Sequence, residues 1–212
     1  MSRLRILLAD DHEMVRKGLR ATIEAHRGWE VCGEAVTGRE AVAKARELRP
    51  NIVVMDFAMP DLNGLEATRQ IRALLPQSEV LILTMHDSER LVPALLAAGA
   101  RGYMLKTDAG ESLVAALEAL AEHRPYFTPK VSALVLQGYL NPKTQEVPEL
   151  TPREREIVQL IAEGKATKEV AEVLGISLKT AETHRTNLMR KLDLHSTADL
   201  VRYAIRNHIV QP

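Results

Sequence analysis

Short apolar runs alternate with amphipathic segments from the start of the chain to Ala121. The runs are rich in Val, Ile and Leu and cover Arg5–Ala9, Val31–Val36, Ile52–Met55, Val80–Leu83 and Gly102–Leu105. Runs of about 4–6 residues that are apolar on both faces are typical of parallel strands covered on both sides. Helical patterns lie between them, as in Gly38–Leu48, where Ala41, Val42, Ala45 and Leu48 form one stripe. Five such β-α units predict an α/β fold with a doubly wound, five-stranded parallel sheet, for which we expect the common order 2-1-3-4-5.

The alternation stops after Ala121. Residues 122–145 contain Pro125, Pro129, Gly138 and Pro142, which predicts a linker with one short helix over Val131–Leu140. From Thr151 onward the signals are helical. Capping residues and helix-ending glycines predict four helices. The first begins at Thr151 with Pro152 and Glu154 and ends at Gly164, and the second begins at Thr167 and ends at Gly175. Ser177 caps the third, which extends to about Leu192, and Ser196 caps the last, which extends to about Asn207. We therefore predict a domain over 1–122, a linker over 123–147 and a small all-α four-helix domain over 148–212.

Composition limits the class of protein. With 212 residues, 46% of them apolar, two globular domains are the expectation. No run approaches the roughly 18 apolar residues of a membrane span, and the apolar start is interrupted by Asp10 and Asp11, as in a buried strand rather than a signal peptide. Cys32 is the one cysteine, so an intramolecular disulfide is excluded, a reducing cytosol is expected, and Cys32 is interpreted as a small core residue. The seven histidines lack the spacing of a structural zinc site.

The net charge is zero, but the charges are unevenly distributed. Between Ser177 and Leu192 the bases are Lys179, Arg185, Arg190 and Lys191, against the single acid Glu182. A cationic segment in a neutral chain indicates a local contact with a polyanion.

Charged and hydroxyl side chains follow four of the predicted strands. Asp10 and Asp11 close the first strand, Asp56 the third, Thr84 the fourth and Lys106 the fifth. Ligands of open parallel sheets bind outside the carboxyl ends of the strands, where the strand order reverses, and the first and third strands are neighbours there. Clustered carboxylates repel one another, and Mg²⁺ relieves this by binding one or two of them with water and phosphate. A carboxylate also attacks phosphorus, with Lys106 and the cation stabilising the phosphoryl oxygens and Thr84 donating to one of them.

These segments resemble the receiver domain of response regulators. The resemblance spans Leu4 to about Ala121 and is carried by Leu8–His12, Val54–Gly64, Leu83–Thr84 and Gly102–Lys106. It implies a flavodoxin-like fold in which Asp56 accepts a phosphoryl group from a histidine kinase. It implies Mg²⁺ bound by Asp11, by Asp10 through water, by Asp56 and by the backbone carbonyl of Ala58. It also implies that Thr84 and Tyr103 form a switch pair, although a packed aromatic ring explains Tyr103 equally well.

Many receivers carry proline after the lysine, whereas Thr107 follows Lys106 here, which leaves the geometry of that peptide open.

The second half has the spacing of a helix-turn-helix. Leu150–Glu156, Lys168–Ala171 and Lys179–Arg185 resemble the LuxR type, and the combination with a receiver resembles the NarL/FixJ regulators. In the third helix Ala181, Leu188 and Leu192 are expected to face the core. The resemblance places Glu182, Thr183 and Thr186 at base edges of the major groove, and its expected phosphate contacts are Lys168, Lys179, Thr180, Arg185, Arg190 and Lys191.

The sequence thus predicts a cytosolic, DNA-binding transcriptional regulator that is not an enzyme apart from its own phosphorylation chemistry. Its expected partners are a sensor kinase, double-stranded DNA and a second copy on DNA, with no membrane. The last helix carries an apolar stripe that core packing and dimerisation explain about equally: Leu200, Val201, Ala204, Ile205 and Ile209.

A phosphatase resembling haloacid dehalogenases is the enzyme alternative, but Ala58 stands where that family carries its second Asp. A DNA-binding protein with the receiver as a mere scaffold would not need Asp10, Asp11, Asp56, Thr84 and Lys106 together.

Overall fold

A computed structural model of the chain describes residues 3–85, 91–128, 131–133 and 150–211. The chain divides into two compact units, Met1–Lys143 and Thr144–Pro212. Most of the linker helix expected over Val131–Leu140 lies outside the described residues, and the part within them, 131–133, is helical. Among the described helices none has the length and apolar character needed to cross a membrane.

Parallel strands form the centre of the first unit. They are β1 (Leu4–Ala9), β2 (Trp29–Ala35), β3 (Ile52–Asp56), β4 (Glu79–Thr84), β5 (Gly102–Leu105) and β6 (Tyr126–Phe127). The sheet order is β2-β1-β3-β4-β5-β6, so the predicted order 2-1-3-4-5 is confirmed and extended by one strand. The five predicted strands agree with the observed ones to within two residues at each end.

The sixth strand corrects the prediction of a five-stranded sheet. Tyr126 and Phe127 fall in the segment predicted as linker, yet they pair with Gly102 and Tyr103 of β5. A strand of two residues is too short to show an alternating pattern of apolar and polar positions, so the sequence contains no periodic signal for it.

Helices cover both faces of the sheet. They are α1 (Glu13–Glu24), α2 (Gly38–Leu48), α3 (Gly64–Leu74), α4 (Leu91–Ala97) and α5 (Ala109–Ala121), with a 3₁₀ turn over Lys106–Asp108. One apolar cluster packs α2, α3 and α4 on one face, and a second packs α1 and α5 on the other. Because alternate side chains of each strand enter opposite clusters, Val53 and Met55 lie in the first and Ile52 and Val54 in the second. Cys32 is half-buried against the first cluster rather than fully buried.

Within residues 150–211, which the structure describes, the second unit contains four helices, as predicted: α6 (Pro152–Ala162), α7 (Thr167–Leu174), α8 (Leu178–Lys191) and α9 (Thr197–Arg206). Thr151 caps α6, and its hydroxyl accepts from the amide of Glu154. Ser177 and Ser196 cap α8 and α9 in the same way.

The cap predicted at Thr167 is wrong by one residue. Ala166 is the N-cap of α7, and the Glu169 carboxylate accepts from the Ala166 amide at 2.7 Å. The acid at the third helical position therefore satisfies the amide of the cap residue, which is one of the two reciprocal hydrogen bonds of a capping box. The Thr167 hydroxyl instead accepts a hydrogen bond from Arg185 of α8.

An apolar cluster joins the four helices. Ala181 and Leu188 of α8 are buried and Leu192 is half-buried, which confirms the predicted core face of that helix. In α9 and beyond, Leu200, Ala204 and Ile209 are buried, whereas Val201 and Ile205 are half-buried. Core packing thus explains only part of the apolar stripe of α9.

Candidate functional site

Three carboxylates meet at the carboxyl edge of the sheet because β1 and β3 are adjacent parallel strands that end together. Ala9 pairs with Met55, so the next residues along the two strands, Asp10 and Asp56, lie side by side. Asp10 is 1% exposed and Asp56 is 2% exposed, whereas Asp11 is exposed. Two buried carboxyl groups with a third at the surface form the acidic cluster predicted from the sequence.

Lys106 lies between the two buried carboxylates. Its Nζ is 2.7 Å from Asp10 Oδ2 and 2.8 Å from Asp56 Oδ2. The strand β5 ends at Leu105, so the side chain of the next residue reaches across the end of β4 to β3. The peptide bonds among the described residues are trans, including the one between Lys106 and Thr107.

The pKa values of Asp56 and Lys106 both differ from those of free side chains. Burial raises the pKa of Asp56 to about 6; the hydrogen bond from Lys106 opposes this rise, and the negative charge of Asp10 adds to it. Burial lowers the pKa of Lys106, but its hydrogen bonds to Asp10 and Asp56 outweigh burial and hold the pKa above its ordinary value. Lys106 is therefore a permanent cation, whereas Asp56 carries a charge that the site only partly compensates.

The donor set fits a hard divalent cation. Oxygen atoms of Asp10, Asp11 and Asp56 and a ring nitrogen of His12 lie within 4.8 Å of one another. One ammonium faces three carboxylates, so the cluster retains excess negative charge that a divalent ion would neutralise. His12 was not predicted from the sequence. Its Nδ1 lies 2.6 Å from Asp11 Oδ1, and its amide donates to Asp10 Oδ1 at 2.9 Å, which fixes the buried carboxylate.

The loop after β3 is held close to Asp56. The amide of Ala58 donates to Asp56 Oδ1 at 3.3 Å, and the amide of Gly64 donates to the carbonyl of Phe57 at 2.8 Å. A Cβ on Gly64 would lie 2.3 Å from the Asp56 carbonyl oxygen, so only glycine permits this approach. The loop thereby places Ala58, the expected backbone ligand, beside the carboxylate.

Thr84 at the end of β4 and Tyr103 within β5 lie on one face of the sheet. Tyr103 pairs with Ile82, and Thr84 follows Ile82 by two residues, so both side chains point to the same side. Both residues are 1% exposed. The predicted switch pair is thus two buried side chains of neighbouring strands.

In the second unit, α8 presents a polar face opposite its core residues. The predicted base-reading residues Glu182, Thr183 and Thr186 are exposed. Of the predicted phosphate contacts, the exposed ones are Lys168, Lys179, Thr180, Arg190 and Lys191. The hydroxyl of Thr183 donates to the carbonyl of Lys179 at 2.8 Å, and Thr180 takes part in the Ser177 cap.

Two of the predicted phosphate contacts are used inside the fold. The guanidinium of Arg185 is half-buried and donates to Thr167 Oγ1 at 3.1 Å and to Thr197 Oγ1 at 2.9 Å. The first residues of α7 and α9 are therefore both fastened to α8. Lys191 Nζ lies 2.7 Å from Glu154 Oε2, and this contact helps to lower the pKa of Glu154 despite its partial burial.

Sequence reasoning missed further members of the polar face. A shallow cleft on α8 is lined by Ser177, Lys179, Thr180, Thr183, His184 and Asn187. The carboxamide oxygen of Asn187 accepts from Arg190 at 3.0 Å. The spacing of Thr180, Thr183 and Asn187 by three and four residues was the signal available for this face.

Comparison with protein families divides the chain at the same place as its structure. Residues 6–118 match the response regulator receiver domain, and residues 148–204 match the bacterial regulatory proteins of the luxR family. The two matches cover the acidic cluster and the helix-turn-helix, respectively.

Individual relatives agree with this division. The transcriptional regulatory protein LiaR of Bacillus subtilis is 42% identical over 209 residues, which are 98% of this chain and 99% of LiaR. A two-component response regulator of the LuxR family from an Aurantimonas species is 38% identical with a TM-score of 0.62, over 66% of this chain and 100% of that one. RcsB from Salmonella enterica serovar Typhimurium, bound to promoter rprA in the presence of the phosphomimetic BeF3⁻, has a TM-score of 0.63 at 26% identity, over 95% of this chain and 98% of that one.

The raised pKa of Asp56 predicts a pH-dependent gain of stability in Asp56→Asn. The folded state holds a proton on Asp56 up to about pH 6, whereas the ordinary pKa is 3.8. The folded state therefore binds more protons in this window, and the stability that Asp56 contributes falls as the pH rises through it. Asparagine has no charge to bury, so the advantage of the variant in unfolding free energy should grow between about pH 4 and 6, by on the order of 2 kcal/mol, and then stay constant.

Urea denaturation in EDTA, followed by the fluorescence of Trp29 in the first unit, measures this difference. Asp193→Asn is the control, since its side chain is 95% exposed. If the wild-type and Asp56→Asn curves of stability against pH run parallel from pH 4 to 7, the proposed electrostatic cost at Asp56 is wrong.

The two hydrogen bonds of Arg185 predict a structural role. Arg185→Met removes both contacts to Thr167 and Thr197 and should lower the stability of the second unit by about 1–3 kcal/mol. Arg190→Met, on the exposed side of the same helix, should change it by less than about 0.5 kcal/mol. Hydrogen exchange of buried α6 and α9 amides, followed by mass spectrometry, reports on this unit alone. Equal protection in the two variants would contradict the role given to Arg185.

Proposed function

The chain belongs to the two-component response regulators, phosphorylation-controlled regulators of transcription that join a receiver to a LuxR-type DNA-binding domain, and from this premise we propose that Asp56 is its phosphoacceptor. The observation that carries the proposal is the position of Asp56, buried at the end of β3 with Lys106 Nζ at 2.8 Å and Asp10 beside it. The carboxylate is thus held next to a cation that can stabilise phosphoryl oxygens.

The proposed reaction is phosphoryl transfer to the carboxylate. An Asp56 oxygen forms a bond to phosphorus while the bond from phosphorus to the donor, a phosphohistidine nitrogen of a sensor kinase, breaks. Lys106 contacts a phosphoryl oxygen, and Thr84 donates a hydrogen bond to another. Later, water attacks the phosphorus and releases inorganic phosphate, so that the receiver catalyses its own phosphorylation and dephosphorylation.

The acidic cluster would hold Mg²⁺ through Asp11, Asp56 and the Ala58 carbonyl, with Asp10 contributing through water. When bound, Mg²⁺ would neutralise negative charge on the phosphoryl oxygens. His12 and Arg16 support the cluster from the side of α1, because the Arg16 guanidinium donates to the Asp10 carbonyl at 2.8 Å. The switch pair Thr84 and Tyr103 would then adjust its packing to the occupied site.

The second unit would bind double-stranded DNA with α8 in the major groove. Glu182, Thr183 and Thr186 would read base edges, and Lys168, Lys179, Thr180 and Arg190 would contact phosphates. Arg185 and Lys191 would contribute chiefly by holding α8 in place, given their contacts to Thr167, Thr197 and Glu154.

Half-buried Val201 and Ile205 on α9 would pair with a second copy, so that two units read two half-sites. The receiver would comprise 1–122 together with the added strand β6, and the DNA-binding domain would comprise 148–212. Because the kinase output and the DNA are both in the cytoplasm, the protein would act there.

Asp56→Asn should abolish phosphorylation by acetyl phosphate, because the amide is not a nucleophile for phosphorus. Intact-mass spectrometry should show one added phosphate on the wild type with Mg²⁺ and none on the variant or after treatment with EDTA. Asp61→Asn, in the loop that follows β3, should still be phosphorylated. A stable phosphate on Asp56→Asn would move the nucleophile to another residue.

The recognition helix predicts two separable effects on DNA binding. Lys179→Ala should weaken binding to every DNA and lower the salt slope by about one unit, because a phosphate contact releases a counterion. Glu182→Ala should change the preference for one base pair by about 1–3 kcal/mol with little change in the slope. Binding to a selected site, its single-base variants and random DNA at several salt concentrations measures both.

Arg206→Ala removes an exposed cation outside α8 and serves as the control for charge alone. If Glu182→Ala and Lys179→Ala shift all three DNAs by the same factor, Glu182 does not read a base, and specificity must arise from DNA shape or another segment.

A further inference from the structure

His12 lies at the solvent-exposed side of the acidic cluster, and its ring is not used to cap a helix. It is the N-cap of α1, but its side chain makes no capping hydrogen bond. Its backbone is fixed on both sides, because its amide donates to Asp10 Oδ1 at 2.9 Å and its carbonyl accepts from the amide of Arg16 at 3.1 Å. The side chain is 65% exposed, whereas Asp10 and Asp56 are buried. The fixed backbone therefore holds the imidazole beside the buried carboxylates, at the side that solvent reaches.

His12 and Lys106 approach Asp10 at different oxygen atoms. The Nδ1 of His12 lies 3.3 Å from Asp10 Oδ1 and 2.6 Å from Asp11 Oδ1. The Nζ of Lys106 lies 2.7 Å from Asp10 Oδ2 and 2.8 Å from Asp56 Oδ2. Asp10 thus presents one oxygen to the ammonium and the other to the imidazole, which leaves a nitrogen and two carboxylate oxygens together on the side of α1.

The donor atoms of the cluster have the spacing of a common ligand set. A ring nitrogen of His12 and one oxygen each from Asp10, Asp11 and Asp56 lie within 4.8 Å of one another. Donors on opposite sides of one small divalent ion lie about 4 Å apart. Imidazole in its neutral form suits first-row transition ions, whereas Mg²⁺ selects carboxylates, carbonyls and water. A set of three carboxylate oxygens and one imidazole nitrogen is therefore better matched to a transition ion than to Mg²⁺.

We propose that the Nδ1 of His12 is a metal ligand, so that the acidic cluster binds divalent transition ions, with Mn²⁺ as the test ion, more tightly than its carboxylates alone would. The inference rests on the proposed function, in which the same carboxylates hold Mg²⁺. Mg²⁺ would use the oxygen atoms and leave the imidazole beside Asp11, whereas a transition ion would use both. The ring would give the ion the lone pair of Nδ1 and keep its proton on Nε2.

The competing explanation is an exposed ion pair that only orients Asp11. Exposed pairs contribute little to stability, and in this case His12 would act on every ion through the position of the carboxylate. Removing His12 would then weaken all divalent ions by a similar factor. A direct ligand instead matters chiefly for ions that accept nitrogen. The two explanations therefore differ in the ratio of the affinities for Mn²⁺ and Mg²⁺.

Electron spin-echo envelope modulation of the full chain with substoichiometric Mn²⁺ detects a nitrogen bound directly to the ion. The wild type should show nitrogen modulation, and isotopic labelling of the histidine nitrogens should shift it. His12→Ala should lose the modulation, whereas His195→Asn, a matched change at a histidine side chain that is 85% exposed, should keep it. The labelled and unlabelled wild-type spectra test for a histidine ligand even if a variant fails to fold.

Titration calorimetry with Mn²⁺ and Mg²⁺ measures the ratio of affinities on the same variants. In His12→Ala the Kd for Mn²⁺ should rise about tenfold and the Kd for Mg²⁺ by less than about twofold, because only the transition ion loses a ligand. His195→Asn should match the wild type for both ions. The comparison between ions removes any general effect of the substitution on the start of α1.

The outcomes that overturn the inference are distinguishable from failure of the proposed function. If both ions bind the wild type without nitrogen modulation, and His12→Ala weakens them by the same factor, His12 only orients Asp11 and the inference alone fails. Modulation that survives in His12→Ala would assign the nitrogen to another residue and would also overturn the inference alone. If neither ion binds the wild type, the proposed Mg²⁺ site and the inference fail together.

Discussion

The fold depends on one electrostatic constraint: a single ammonium must serve two buried carboxylates. Lys106 Nζ lies within 2.8 Å of both Asp10 and Asp56, and the exposed Asp11 adds a third negative charge nearby. One cation cannot balance this arrangement, so burying it costs free energy that the packing around it must supply. Because of this excess negative charge, a cation that binds there, or a reaction that removes negative charge, would change the stability of the carboxyl edge of the sheet.

The parallel sheet is the means by which this arrangement is held. Its central strands are covered on both faces by apolar clusters, so the strand ends have little freedom to move apart. The loop after β3 is pressed against Asp56 to a distance that only Gly64 tolerates. An imbalance of charge that is fixed by rigid neighbours keeps its effect local to this edge of the sheet.

The parts of this structure that repeat were predictable, and the parts that depend on a single contact were not. Strands β1–β5 and the caps at Thr151 and Ser177 follow from periodicity and from residue type at fixed offsets. Strand β6 is two residues long, and its pairing with β5 is a tertiary event without a local signature. The acidic cluster was predictable because strand ends converge by topology. The role of Arg185 was not, since a long side chain reaches partners 12 and 18 residues away that no local pattern indicates.

Charge on the recognition helix illustrates the same limit. The sequence places four cations on α8. If each of them contacted a DNA phosphate, each contact would release about one counterion from the DNA. Arg185 and Lys191 already have partners in Thr167, Thr197 and Glu154, and they can meet a phosphate only by giving up contacts that hold the helix. Lys179 and Arg190 lie on the exposed side, and Arg190 also orients the carboxamide of Asn187. The helix therefore uses two of its four cations to hold its own position and keeps the other two on its exposed side, so a chain of zero net charge carries a local cationic face.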